Sequence, residues 1–143
     1  MKIRPATIKD AKNVFELYRG EKYFAGNAKE PTSDYSLEDI KDYISKRSKI
    51  IYVCMLGEEI IGSLGVEFHK TYAFLSMVAV RKDFRKKGVA SSLINRVEKE
   101  CKKRNVKEIE GFTSTKNKPM QYFFKKQNWG KGNKFYFYSK ILK

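Results

Sequence analysis

The sequence holds one histidine, two cysteines and no long apolar run. With His69 alone, Ser-His-Asp and Cys-His nucleophile systems and multi-histidine zinc sites lose their main support, and no metal is expected. Cys54 and Cys101 form no CxxC pair and sit in apolar stretches, which predicts two buried, reduced thiols rather than a disulfide framework. The longest apolar run, Ile50–Leu56, falls far short of the roughly 20 residues a membrane helix needs. Met1–Pro5 shows no apolar signal-peptide core, so a cytoplasmic protein is expected. Also missing are a G-x-G-x-x-G run and a G-x-x-x-x-G-K-[ST] loop, which removes the usual support for dinucleotide and Walker-type nucleotide binding. Acidic residues are scarce in one half. From residue 81 onward there are 19 Lys/Arg against 5 Asp/Glu, whereas residues 1–80 are nearly balanced with 12 against 11. Such a half-molecule favours a polyanion or a multiply phosphorylated ligand.

What remains is a chain of 143 residues, 41% apolar and 14% aromatic, enough for one globular domain spanning 1–143 without a disulfide or metal staple. Lys2 to Ala6 reads as a strand, and Thr7 with Asp10 as a capping box opening a helix that carries Ala11, Val14, Phe15 and Tyr18 on one face. Residues 21–35 read as a loop or broken helix, after which Ser36 caps a second helix with Leu37, Ile40 and Ile44 on its apolar face. Ile50–Leu56 and Ile60–Phe68 form a hairpin around Gly57-Glu58. Tyr72–Val80 is apolar on both faces and should be a central strand. A helix from Gly88 to about Arg104 buries Val89, Leu93, Ile94, Val97 and Cys101. A strand over 106–113, a short helix over 117–127 and a closing strand from Phe135 to Leu142 complete the chain. The order describes a three-layer α/β/α domain with a mixed sheet.

The most informative segment is the basic turn between the central strand and the long helix. Helix N-termini leave several N–H groups unpaired and carry about half a positive charge. They therefore form ready sites for phosphate or pyrophosphate. Gly88 and the small Ala90 allow close approach of a ligand, while Arg85, Lys86 and Lys87 add formal charge.

In this context Arg85-x-x-Gly88-x-Ala90 resembles the [RQ]-x-x-G-x-[GA] signature of the GNAT superfamily of N-acetyltransferases. The opening Ile3-Arg4-Pro5-Ala6-Thr7 with Asp10 is similar to the family's first strand and helix start. Asn117, Phe123, Lys126 and Trp129 are similar in register to its N-x-x-A-x-x-[LF]-Y-x-K-x-G-F stretch. The resemblance implies a GNAT-like fold whose central strands splay around acetyl-coenzyme A, the cosubstrate. It implies that Met77, Val78, Ala79 and Val80 pair with the pantetheine arm and that Arg85 through Ser91 hold the pyrophosphate. Asn117, Phe124 and Lys126 complete the implied cofactor site. An amine would attack the thioester directly in a ternary complex, with an amide near Val78 facing the oxyanion.

The sequence departs from the pattern at Phe124, where relatives often carry a tyrosine that protonates the departing thiolate. Met120 replaces the usual alanine, and Asn128-Trp129 the usual Gly-Phe, a mild change because Asn tolerates left-handed backbone. Ser76 stands where many relatives hold a carboxylate base, and Glu67 or Glu110 are the carboxylates within reach of that region. Asp34 and Glu38, in an acidic stretch, are the candidates for attracting a cationic acceptor such as a peptide N-terminus, a lysine or a small cationic amine. Two other readings stand beside this one: a basic nucleic-acid- or ribosome-binding module, and a non-catalytic coenzyme A-binding domain of the same fold. A monomer and a homodimer are equally compatible with the sequence.

Overall fold

The computed structural model describes residues 1–19, 35–138, 140 and 142, and the predicted loop at 21–35 lies almost wholly outside them. The described residues divide into two compact units, the first ending at Gly111 and the second beginning at Phe112.

The first unit is built on a five-stranded sheet: β1 (Lys2–Pro5), β2 (Lys49–Leu56), β3 (Glu59–Phe68), β4 (Tyr72–Val80) and β5 (Glu108–Glu110). The strands lie in sequence order. The first three pairings are antiparallel and the last, β4 with β5, is parallel. The parallel pair needs a crossover, and α3 (Val89–Lys103) supplies it. On the other face lie α1 (Ala11–Arg19) and α2 (Leu37–Ser45). Two glycines of β3, three residues apart, show that the helices cover opposite faces. A Cβ at Gly62 would meet Val89 and Leu93 of α3, and one at Gly65 would meet Tyr43 of α2.

Local chemistry sets the element starts. Asp10 accepts from the Thr7 amide at 2.7 Å and from its hydroxyl at 3.2 Å, the predicted capping box, which here opens a short 3-10 turn before α1. Arg4 of β1 donates to both oxygens of the same carboxylate, at 2.7 and 3.0 Å, tying the strand to the helix start. Ser36 caps α2 by accepting from the Asp39 amide at 3.1 Å, and Asp39 returns the bond at 2.8 Å. The buried face of α3 is Val89, Leu93, Ile94, Val97 and Cys101, as the helical spacing predicts. On α2 the buried residues are Ile40 and Tyr43, so a tyrosine takes the place expected for Ile44. Both cysteines are free and buried, and burial pushes both thiols up, which leaves them protonated and inert.

In the second unit α4 (Lys118–Lys126) begins as expected, with the Asn117 side chain accepting from the Met120 amide at 3.2 Å and Pro119 in the first turn. Two expectations are corrected. The fifth strand is shorter than 106–113. Left-handed Asn105 and the bond from the Val106 amide to Cys101 O tie Val106 to the end of α3, so the ladder starts at Glu108 and stops at Glu110. The closing strand from Phe135 to Leu142 is not formed among the described residues: none of them is in a strand, and Phe135 through Tyr138 are 66–88% exposed. An alternating pattern indicates how side chains would face, but a strand also needs a backbone partner.

Candidate active site

β4 is irregular where the chemistry was expected. Gly65 pairs with Ser76 and Ser63 with Ala79, so two residues advance on β3 while three advance on β4. The extra residue makes a β-bulge at Met77–Val78, and Met77 has φ +50°. A left-handed backbone at a buried, unbranched but bulky residue is held there only by its surroundings, and such positions cluster at functional sites. Beyond Phe74 no described residue pairs with the outer edge of β4, because the ladder to β5 ends at the Phe74–Glu110 pair. The strand edge from Leu75 to Val80 therefore presents backbone groups that can take an extended ligand.

At the top of β4 the chain turns through Lys82–Phe84 and reaches Gly88, the N-cap of α3, in the left-handed conformation at φ +82°. Lys86 is left-handed as well, at +59°. The first bond of α3 runs from the Ser92 amide to Gly88 O at 3.0 Å. Gly88 has no side chain to cap the helix, and among the described residues no backbone carbonyl accepts from the amides of Lys86 through Ala90. Those donors gather at the positive end of a fifteen-residue helix. A Cβ at Gly88 would meet nothing within 4 Å, so the space beside the turn is open. The arrangement fits a diphosphate.

The cations of the turn divide their work. Arg81 is spent on its neighbours, donating to Asp83 and to Glu59, each at 2.8 Å, and its guanidinium lies 4.9 Å from the centre of the Phe84 ring. The bonds to Asp83 and Glu59 raise its proton affinity and hold Asp83 below the usual carboxylate range. Arg85 Nε donates to Val80 O at 3.0 Å, so this arginine closes the turn onto the end of β4. Lys82, Lys86 and Lys87 are exposed, with Lys87 Nζ 5.5 Å from the centre of the Phe84 ring.

The opposite side of the bulge carries the residues expected for proton transfer. Ser76 Oγ and Tyr43 Oη are 3.1 Å apart. Burial pushes the Tyr43 phenol well above its ordinary range, and the bond with Ser76 only partly offsets this. Tyr35 is raised for the same first reason, with Glu67 adding to it and Ser76 opposing it. The rings of Tyr18, Tyr35 and Tyr43 meet edge to face at 5.8 and 6.3 Å. Gly65 makes this packing possible, since a Cβ there would lie 2.9 Å from Ser76 Oγ and 3.1 Å from Tyr43 Oη. Glu67 follows Gly65 by two residues and so shares its face. It pairs with Phe74, which sets it diagonally from Ser76 at about 7–8 Å between backbones. Its carboxylate pairs with His69 at 3.1 Å and Lys49 at 3.9 Å.

The structure thus brings Glu67 and Ser76 to one face of the sheet and the turn residues to its end. Glu110 is exposed on β5, Glu38 is an exposed partner of Lys41 at 3.3 Å, and Asp34 lies outside the described residues. Asn117, Phe124 and Lys126 belong to the second unit. There Phe124 packs on Trp129 with ring centres 4.8 Å apart, Lys126 is exposed, and Asn128 is left-handed at φ +62°, the conformation expected of it. Tyr122 is 68% exposed, as a surface aromatic. Tyr43, Gly62 and Gly65 were not read as site residues. The signal available was two glycines inside an apolar strand, which mark close approach of neighbouring atoms.

Comparison with known proteins agrees with this geometry. The chain superimposes at a TM-score of 0.80 on the aminoglycoside acetyltransferase AAC(6')-Iy in complex with a bisubstrate analogue, CoA-S-monomethyl-acetylneamine, at 18% identity, covering 99% of this chain and 98% of that one. It matches the apo aminoglycoside 6'-N-acetyltransferase AAC(6')-IG of Acinetobacter haemolyticus at 0.79 and 18%, over the full length of both chains. A transcriptional regulator from Bacillus halodurans C-125 matches at 0.77 and 20%, covering 95% and 99%. No curated protein matches in sequence. The model of the acetyltransferase (GNAT) family matches residues 11–129, most of the chain, so the chain belongs to the GNAT acetyltransferases.

Proposed function

We propose that the protein transfers an acetyl group from acetyl-coenzyme A to a primary amine by direct attack within a ternary complex. The observation that carries this reading is the left-handed turn at Gly88, which opens a row of unaccepted amides onto the end of a bulged strand. Lys86, Lys87 and the amides through Ala90 bind the diphosphate of the cosubstrate. The free edge of β4 from Met77 to Val80 pairs with the pantetheine arm, and the Val78 amide donates to the oxyanion that develops on the acetyl carbonyl.

The amine must be neutral to attack. Ser76 cannot accept its proton, and Tyr43, whose phenol is raised by burial, holds its own proton tightly. Glu67 is the carboxylate on the same face, and it takes the proton through a water beside Ser76. Phe124 has no proton to give the thiolate, so the thiolate leaves assisted by solvent or by the Ser76 hydroxyl. Alignment of the two substrates carries much of the rate, since effective molarities of about 10⁵ M or more are available to well-placed pairs.

The acceptor is a cationic amine. The aminoglycoside enzymes among the similar structures make an aminoglycoside one member of the test panel, beside a lysine peptide, a free peptide N-terminus and a polyamine. Free thiol should appear from acetyl-coenzyme A only when an amine is present, rising with pH as the amine loses its proton. Glu67→Gln should lower kcat by about 100-fold with little change in KM for the cosubstrate. Thermal stabilisation by acetyl-coenzyme A without thiol release from any amine would favour a non-catalytic binding domain, the reading to which Phe124 lends support.

A further inference from the structure

Apart from Asn117, Phe124 and Lys126, which the family resemblance implies in the cofactor site, the segment 112–143 has a composition that acetyl transfer does not use. It contains eight lysines and no aspartate or glutamate. Every one of these lysines whose side chain is described is exposed, and the segment offers no side-chain carboxylate to neutralise them. It also holds nine of the twenty aromatic residues of the chain. Six are exposed: Phe112, Tyr122 and the run Phe135-Tyr136-Phe137-Tyr138, with Tyr136 at 88% and Tyr138 at 87%. Phe112 and Phe135 face each other edge-on at 6.1 Å between ring centres, so part of this surface is already arranged. Large rings left in water beside unneutralised lysines mark an interaction surface.

We propose that this surface binds single-stranded nucleic acid, independently of the acetyl-transfer site. Lysines supply point charges for phosphates, and exposed rings supply stacking faces for unpaired bases. Duplex nucleic acid buries those base faces and cannot use the rings. The segment has no arginine. It therefore lacks the planar fork that reads guanine edges, and binding is tolerant of sequence. A lipid surface fits less well. Interfacial binding calls for an amphipathic helix with an aliphatic face; α4, the helix of this segment, has no Leu, Ile or Val, and the described residues of 131–142 contain no helix.

The test is fluorescence anisotropy with a labelled oligouridylate, the same-length DNA strand and its duplex, beside phosphatidylserine vesicles. Both single strands should bind more tightly than the duplex, and affinity should fall at least about tenfold between 50 and 200 mM salt. Tyr136→Ala with Tyr138→Ala should weaken single-strand binding by about tenfold or more while leaving duplex binding and the melting temperature unchanged, because both rings are in solvent. Lys131→Gln with Lys134→Gln should reduce the slope of log affinity against log salt by about 1.4. Equal affinity for duplex and single strand, together with indifference to loss of the two rings, would reduce the surface to bulk charge and overturn the proposal. Vesicle binding without oligonucleotide binding would overturn it in favour of a membrane.

Discussion

Asp10 shows how one side chain does several tasks. It accepts from Arg4 twice and from Thr7 twice, and the Arg4 bond is the main reason its carboxyl lies at about 2 instead of 3.8. A carboxylate with a depressed folded-state pKa stabilises the fold above its unfolded value, and that stability is lost as pH falls through the folded value. The carboxyl is largely buried, so its contribution at neutral pH is of the order of 2 kcal/mol, fading between about pH 4 and pH 2. Asp10→Asn should therefore lower stability by about 1–2 kcal/mol at pH 7, and the difference from wild type should vanish as the pH nears 2. Urea unfolding across that range reads it, and a difference independent of pH would contradict this account of the carboxylate. Thr7 and Asp10 were legible in the sequence because a capping box is a local pattern, chemistry between residues three apart. Met77 was not legible. Nothing in its residue type suggests a left-handed backbone, and the bulge arises from the mismatch of two strands paired at long range. Tyr43 escaped for a related reason. Helical spacing on α2 offers Ile44 as readily as Tyr43, and the Ser76 hydroxyl that Tyr43 meets at long range on β4 decides between them.

At the scale of elements, α3 and β3 are held together by a missing side chain. A Cβ at Gly62 would sit 2.6 Å from Val89 Cγ1 and 3.4 Å from Leu93 Cδ1. Val89 is the first residue of α3, so the helix end that presents the open amides rests on Gly62. Gly62→Ala should cost about 1–3 kcal/mol by overpacking and raise KM for acetyl-coenzyme A severalfold, because the helix start is pushed off the sheet. Denaturation midpoints with steady-state kinetics test this, and a loss of stability with KM unmoved would separate the packing from the site. The course of α3 itself was readable. Its five buried residues recur at helical spacing, and Gly88 announced its start. The closing strand, absent among the described residues, was read from an alternating pattern that indicates how side chains would face without naming a backbone partner.

The whole molecule is lopsided in charge, and the basic residues of its two units have different surroundings. In the first unit the cations of the 81–87 turn divide between ion pairs that hold the turn and free lysines beside the amides. In the second, the lysines have no acidic neighbours within their own segment. Net charge is a sum over the whole chain and does not say which segments carry it. The strand order and the helix faces were legible as a three-layer domain because each element buries one patterned face. Calorimetric titration of coenzyme A and of pantetheine, which lacks the diphosphate, into wild type and Gly88→Ala tests the central claim most directly. Gly88 is left-handed with open space beside it, so alanine there adds backbone strain of about 1–2 kcal/mol and a methyl group facing the ligand. Coenzyme A should bind wild type at least about 100-fold more tightly than pantetheine, and Gly88→Ala should weaken coenzyme A by about tenfold or more while leaving pantetheine unchanged. Equal binding of the two ligands by wild type, or equal loss of both in the variant, would contradict a diphosphate site at the start of α3.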